Sequence, residues 1–105
     1  MKNVVLVGIS HLEQRAQDLA EAKEPVELMI DAVRQAASDA GSAGVLQASS
    51  VRVIRGIWPY QNPAKAVAEA IGASGAETVL SAFGGNFVQT CVNVSVQDIH
   101  SGQHD

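Results

Sequence analysis

The sequence predicts an α/β domain in which three strands and three helices alternate, in the order β-α-β-α-β-α, around a three-stranded, mainly parallel sheet. Two apolar runs, Val4–Ile9 and Thr78–Phe83, have the composition of strands that are buried on both faces. In other segments, apolar residues recur every three or four positions, which is typical of helices lying on a sheet. Glycine and proline separate these segments from one another.

The size and charge of the chain restrict its possible functions. Residues 1–105 make one domain, which is short for a doubly wound sheet. The net charge of -4 gives no electrostatic reason to expect binding to nucleic acid or to an anionic membrane surface. A single cysteine, Cys91, excludes an internal disulfide framework and a thiolate zinc site, and it favours a reducing, cytoplasmic location. No stretch approaches the roughly 18 apolar residues of a transmembrane helix.

The first β-α unit begins with Val4–Ile9, which we expect to be the central strand because its apolar run is continuous. His11–Lys23 is mostly polar and is compatible either with a solvated helix or with a loop. Pro25–Ala40 is the clearest helix, since it starts at a proline and stops before Gly41. Its apolar face comprises Val26, Met29, Ile30, Val33, Ala36, Ala37 and Ala40.

The second unit follows a loop of small residues. Apolar residues between Val51 and Ile57 indicate a strand that two arginines interrupt, so we expect one end of this strand to be exposed to solvent. Asn62 and Pro63 have the order of an N-cap and a first helical residue, which predicts a short helix through Ile71.

The third unit joins the strand Thr78–Phe83 to a helix over Phe87–His100. Asn86 and Gln89 have the spacing of an N-cap and a side chain that reaches back to it. Apolar residues lie on more than one side of the helix, which indicates a helix buried all round: Val88, Cys91, Val92, Val94, Val96 and Ile99. A fourth strand would be expected after Gly102, so the domain is predicted to be incomplete.

A binding site is predicted at the junction of the third strand and helix. In α/β sheets, ligands bind where the carboxyl end of a strand meets the amino end of a helix, because the first helical N–H groups are unpaired. The residues at this position are Gly84, Gly85, Asn86 and Phe87. The alternative is a tight connection that needs a positive φ angle, with Asn86 only capping the helix.

Three motifs resemble the opening of thiolase-superfamily proteins, and most of all the thiolase-like acetyl-CoA acetyltransferase branch. They are E-P-V-E-L-M at Glu24–Met29, V-R-V-I-R-G-I-W-P-Y-Q-N-P-A at Val51–Ala64, and T-V-L-S-A-F-G-G-N-F-V-Q at Thr78–Gln89. The resemblance implies an incomplete thiolase-like amino-terminal domain. The complete family fold has two α/β halves, each with a five-stranded mixed sheet, and acts on acyl-CoA thioesters without a resident cofactor or metal.

The resemblance also implies that this chain lacks the catalytic nucleophile. In the family, a cysteine lies at the turn after the third strand, and Gly85 occupies the matching position here. Cys91 comes six residues later, roughly 9 Å along a helix, and does not replace that thiol. The resemblance therefore predicts the amino-terminal piece of an acyltransferase that is inactive alone. It further implies a homo-oligomer or association with the remainder of a larger protein.

Other residues have a functional and a structural interpretation. Cys91 is expected to pack in the core, because a reactive thiol requires positive neighbours. His100 and His104 are four residues apart, but the intervening glycine breaks the helix, so surface histidines are favoured over a metal site. Arg52 and Arg55 can meet coenzyme A phosphates or be solvated and ion-paired. Trp58-Pro59-Tyr60 can line a substrate or fix the strand exit.

Two other classes of function remain open. One is a non-catalytic α/β module for interaction or assembly, which would use its third strand and helix to bind another chain. The other is a mononucleotide-binding domain, which the sequence disfavours because Gly8-Ile9-Ser10-His11 lacks a glycine-rich phosphate motif.

Overall fold

The computed structural model describes residues 2–105 and shows an α/β fold with three helices and a two-stranded parallel sheet. The strands are β1 (Ser50–Arg55) and β2 (Glu77–Phe83). The helices are α1 (Pro25–Ala40), α2 (Pro63–Ala70) and α3 (Phe87–His100). None of the helices in this part of the chain combines the length and apolarity that crossing a membrane requires.

The sheet is held between helices. In the register, Ser50 lies opposite Glu77 and Val53 opposite Leu80, and an irregularity then brings Arg55 opposite Phe83. Helix α2 packs on both strands and also contacts α1, whereas α3 packs on both strands without contacting α2. Helices α2 and α3 therefore cover opposite faces of the sheet.

The helix boundaries agree with the predictions because their local signals are strong. Gly41 ends α1 in the left-handed conformation, with φ 78°, and its N–H donates to the carbonyls of Ala37 and Ser38. Asn62 caps α2, since its side chain accepts a hydrogen bond from the Lys65 N–H. Helix α3 also has the predicted bounds, but Asn86 does not cap it, as shown below.

The expected third strand is not formed, so the prediction that Val4–Ile9 is the central strand of a three-stranded sheet is wrong. This segment lies against α1 instead. The Ile9 N–H donates to Asp39 Oδ2 at 3.0 Å, and Ser10 Oγ donates to the Ala32 carbonyl at 2.6 Å. Gly8 comes so close to α1 that a Cβ atom there would overlap the Ala36 carbonyl oxygen. These contacts hold the segment without a ladder to β1.

Burial of α3 also differs from the prediction. The sequence predicts a helix buried all round, but α3 has no fully buried residue. The two strands cover only one of its sides, because a two-stranded sheet is narrow. Val88, Val92, Val94 and Val96 consequently remain 52%, 50%, 42% and 41% exposed.

The core is small and consists mainly of alanine. It lies where α2 meets α1 and the sheet, and its buried apolar residues are Ala37, Ala64, Val67, Ala68 and Ala73.

The polar segment His11–Lys23 is a loop with one short 3-10 turn, Leu19–Glu21, which settles the alternatives left open by the sequence. Asp18 caps this turn by accepting a hydrogen bond from the Ala20 N–H.

Candidate functional site

The predicted site residues lie together at the junction between β2 and α3. Gly84 has a φ of 127°, a conformation that side chains rarely adopt. The Phe87 N–H donates to the Gly84 carbonyl at 3.1 Å, and the Val88 N–H donates to the Gly85 carbonyl at 3.2 Å. Two of the first helical amides are thus engaged within the turn, and an incoming carbonyl or phosphate would have to displace these bonds.

Asn86 does not cap α3 as the sequence predicts. Its backbone is helical, with φ -63° and ψ -22°, and its side chain makes no capping hydrogen bond. A capping residue normally has an extended backbone, which turns its side chain toward the helix amides. Gln89 does not reach back either, because its Nε2 donates to Asn93 Oδ1 at 2.8 Å. The expected reciprocal cap is therefore wrong.

Gly85 is exposed, and the space beside it is open. A Cβ atom built on Gly85 would have no neighbour within 4 Å outside the adjacent residues. Sterically, the position can hold a side chain, but glycine supplies none. The turn therefore has room for a side chain at position 85 but carries no reactive group there.

One positive charge lies beside the junction. Arg55, at the end of β1, places its guanidinium 5.5 Å from the centre of the Phe83 ring, a cation–π geometry. Its backbone N–H donates to Ser81 Oγ at 3.1 Å, which fixes the irregular end of the strand pair. Arg55 is therefore available to an anion that approaches the carboxyl end of the sheet.

Cys91 lies one turn inside α3 and away from the junction. It is a half-buried residue on the wall of a groove that Val92 and Ser95 also line. Its carbonyl accepts a hydrogen bond from Ser95 Oγ at 2.8 Å. This placement agrees with a packing role, although the burial is partial.

Trp58 and Tyr60 pack at the exit from β1. Their ring centroids are 5.2 Å apart with an interplanar angle of 40°. The Trp58 indole covers Gly56, where a Cβ atom would overlap it, and the Tyr60 hydroxyl accepts a long 3.5 Å hydrogen bond from the Val26 N–H at the start of α1. These contacts favour the interpretation that the aromatic pair fixes the loop after β1.

A second polar cluster, which the sequence interpretation missed, lies at the amino end of the sheet. Arg52 projects from β1, and its side chain is only 10% exposed. Nη1 donates to Ser95 Oγ at 2.6 Å, and Nη2 donates to Asp98 Oδ2 at 2.5 Å. A carboxylate oxygen of Glu77 lies 3.6 Å from Nη2. Of the two alternatives for Arg52, the structure shows the ion-paired one.

The Arg52 cluster borders a cavity of about 150 Å³ between β1 and the carboxyl end of α3. His104 closes one side, with Nε2 3.3 Å from Glu77 Oε2. Its side chain is mostly buried, so the prediction of a surface histidine is wrong for His104, whereas His100 is exposed. The Ser50 hydroxyl is buried and has no hydrogen-bond partner among the described residues.

The sequence contains a weak indication of the Arg52 cluster. Ser95 and Asp98 are polar residues three apart in α3, so they share one helix face. A buried arginine on the facing strand is a natural partner for them. Within residues 2–105, no three histidine, cysteine or acidic side chains converge on a point that a metal ion could occupy.

The two ends of the sheet therefore differ in chemistry. At the carboxyl end, the Gly84–Phe87 turn is open and has Arg55 beside it. At the amino end, the charges of Arg52, Asp98 and Glu77 already pair with one another. Among the described residues, the carboxyl end offers the guanidinium of Arg55, which forms no ion pair, whereas the amino end leaves the Ser50 hydroxyl without a partner. In comparisons with protein families, curated proteins and solved structures, no match to this chain was found.

Proposed function

We propose that this chain is the amino-terminal part of a thiolase-like acyl-CoA acyltransferase and is inactive on its own. The observation that carries this proposal is the junction at Gly84–Phe87, where a parallel strand turns through two glycines directly into a helix. This is the geometry at which the resembled family holds its nucleophile. Gly85 occupies that turn and offers no reactive group, so a catalytic thiol would have to come from elsewhere.

A further observation supports an acyl-CoA ligand at this end of the sheet. Arg55 supplies a guanidinium suited to a phosphate of coenzyme A. The proposal places the protein in the cytoplasm, where acyl-CoA is plentiful and a free Cys91 would stay reduced.

Acetyl-CoA titration followed by amide NMR tests the proposal directly. We expect the amide signals of Gly84, Gly85 and Asn86 to shift at millimolar acetyl-CoA. Replacing Arg55 with glutamine should weaken the binding several-fold, because it removes a charge-assisted contact. Lys65→Met, on α2, is the matched control and should leave the binding unchanged. Signals at the junction that stay fixed at millimolar acetyl-CoA would refute an acyl-CoA role for this chain.

A second candidate function is a non-catalytic assembly module. Exposed apolar side chains on α3 and on Val4–Ile9 favour it, because apolar patches of this kind commonly mark protein contacts. The same titration separates the two candidates. An assembly module would show no shift at the junction with acetyl-CoA but would still associate with another polypeptide.

A further inference from the structure

The cavity at the amino end of the sheet has the features of a second binding site, separate from the Gly84–Phe87 turn. It measures about 150 Å³, lies between the start of β1 and the carboxyl end of α3, and is partly open to solvent. An engineered apolar cavity of about this size in another protein holds a molecule as large as benzene. The cavity of this chain therefore has room for a molecule of roughly six non-hydrogen atoms.

Polar groups with unused hydrogen-bonding capacity line this cavity. Ser50 and Arg52 are two residues apart in β1, so they share one face of the strand. The Ser50 hydroxyl is buried and has no partner among the described residues, although a hydroxyl can donate one hydrogen bond and accept two. Arg52 has five N–H donors, two of which donate to Ser95 and Asp98. A ligand that both donates and accepts hydrogen bonds would satisfy these groups.

The charges around the cavity favour a neutral ligand. Arg52 on β1 pairs with Asp98 on α3, and their side chains are only 10% and 20% exposed. An ammonium group in the cavity would be repelled by the Arg52 guanidinium. A carboxylate or phosphate would be repelled by Asp98 and by Asp105, which also lines the cavity. Either ion would leave one member of the pair without its partner, which is costly where water is nearly excluded.

We propose that this cavity binds a small neutral molecule with hydroxyl groups, of the size of a three-carbon polyol. A hydroxyl group combines a donor and acceptors in one atom, which is what the Ser50 hydroxyl lacks as a partner. A second hydroxyl group of the ligand accepts a hydrogen bond from Arg52, and the carbon atoms lie against Ala48 and Ile99. Because β1 and α3 both supply walls, the bound molecule holds α3 on the sheet.

This site is independent of both candidate functions, because it lies at the end of the sheet opposite the Gly84–Phe87 turn and does not involve the exposed apolar side chains of α3. Failure of the polyol site would leave acyl-CoA binding at the carboxyl end of the sheet to be decided by the acetyl-CoA titration alone.

Titration with three compounds that share a carbon skeleton tests the inference. Glycerol is neutral, glycerate carries a carboxylate in place of one hydroxyl-bearing carbon, and 3-aminopropane-1,2-diol carries an ammonium group. In amide NMR spectra of the full chain, we expect glycerol to shift the signals of Ser50, Arg52 and Asp98 and to saturate in the millimolar range. Signals of the Gly84–Phe87 turn should stay fixed. Glycerate and the aminodiol should bind at least about tenfold more weakly.

Replacing Ser50 separates binding in the cavity from a general effect of glycerol on the protein. Ser50→Ala removes the hydroxyl and leaves the walls in place, so the affinity for glycerol should fall about five- to tenfold. Ser38→Ala, which removes an exposed hydroxyl from α1, is the matched control and should bind glycerol like the unmodified chain. Circular dichroism checks that both variants are folded.

Shifts that grow linearly with glycerol and never saturate would overturn the inference, because the cavity would then take up water only. Equal or tighter binding of either charged compound would also overturn it, since the charges would not select a neutral ligand. Equal affinities of the Ser50→Ala and Ser38→Ala variants would place the bound glycerol elsewhere on the protein and would overturn it as well.

Discussion

Arg52 is the side chain on which the packing of α3 depends most. Its guanidinium joins β1 to Ser95 and Asp98 and is nearly removed from solvent. We expect Arg52→Met to lower the free energy of unfolding by about 2–3 kcal/mol, less than for a fully buried pair because Asp98 and Glu77 keep some contact with water. Urea denaturation followed by circular dichroism measures this change.

A double substitution separates the cost of an unpaired charge from the value of the ion pair. In Arg52→Met/Asp98→Leu, no carboxylate of α3 is left without its partner, so the loss should be smaller than for Arg52→Met alone. Arg55→Met is the single-residue control at the other end of β1. A double variant that is less stable than Arg52→Met alone would contradict this expectation, because removing the unpaired Asp98 carboxylate would then bring no gain.

Lys2 controls the ionisation of Asp105. The ammonium lies 2.8 Å from Asp105 Oδ1, and its hydrogen bond and charge lower the pKa of that carboxyl. This pairing contributes stability above the ordinary aspartate pKa and is lost as the pH falls through the lowered value. We expect Lys2→Ala to return the Asp105 pKa to its usual range in an NMR titration. Lys23→Ala, which removes a different pair, should leave it unchanged.

The position of a candidate-site residue was predictable where residues next to it in the sequence determine that position. The turn at Gly84–Phe87 follows from an apolar run, two glycines and a helical pattern that are contiguous in the sequence. The Arg52 cluster was not predictable in this way, because it joins β1, α3 and His104 across more than 40 residues. Pairing of that kind depends on the tertiary arrangement.

At the scale of elements, α2 and α3 begin differently although both follow an asparagine. The Asn62 side chain accepts a hydrogen bond from the Lys65 N–H and donates one to Thr78 Oγ1, whereas Asn86 makes no capping bond. Asn62→Ala should therefore lower the free energy of unfolding by about 1 kcal/mol. Asn86→Ala should change it by less than about 0.5 kcal/mol, and thermal unfolding of both variants checks this. Equal losses would mean that Asn86 caps α3 in solution.

The helices were predictable in their limits but not in their burial. Proline, asparagine and glycine at the ends of α1 and α2 act locally, so the sequence determines where these helices begin and stop. An apolar pattern, by contrast, indicates only that the side chains favour burial, and it does not indicate what buries them. In α3 and Val4–Ile9 the pattern indicates full burial, yet the described residues supply too little surface to cover them.

For the molecule as a whole, protection from solvent is concentrated around β1, β2 and α2. The backbone groups of Val5, Leu6 and Val7 make no hydrogen bonds within the part of the chain that the structure describes. We expect their amides to exchange with deuterium near the rate of an unstructured peptide, while the amides that join β1 to β2 exchange far more slowly. Hydrogen exchange read by NMR measures both. Strong protection at residues 5–7 would indicate that a strand ladder forms there in solution.

The close fit of Gly8 on α1 has a consequence for how the protein folds during synthesis. The partners of the first ten residues are distant in sequence, since Ser10 contacts Ala32, Ile9 contacts Asp39 and Lys2 contacts His100. Ile9 and Ser10 can therefore settle once α1 has been translated, whereas Lys2 has to wait for the end of α3. We expect Gly8–Ser10 to dock when α1 has left the ribosome and Lys2 only after α3, and hydrogen exchange on stalled nascent chains truncated after α1 and after α3 would reveal this order.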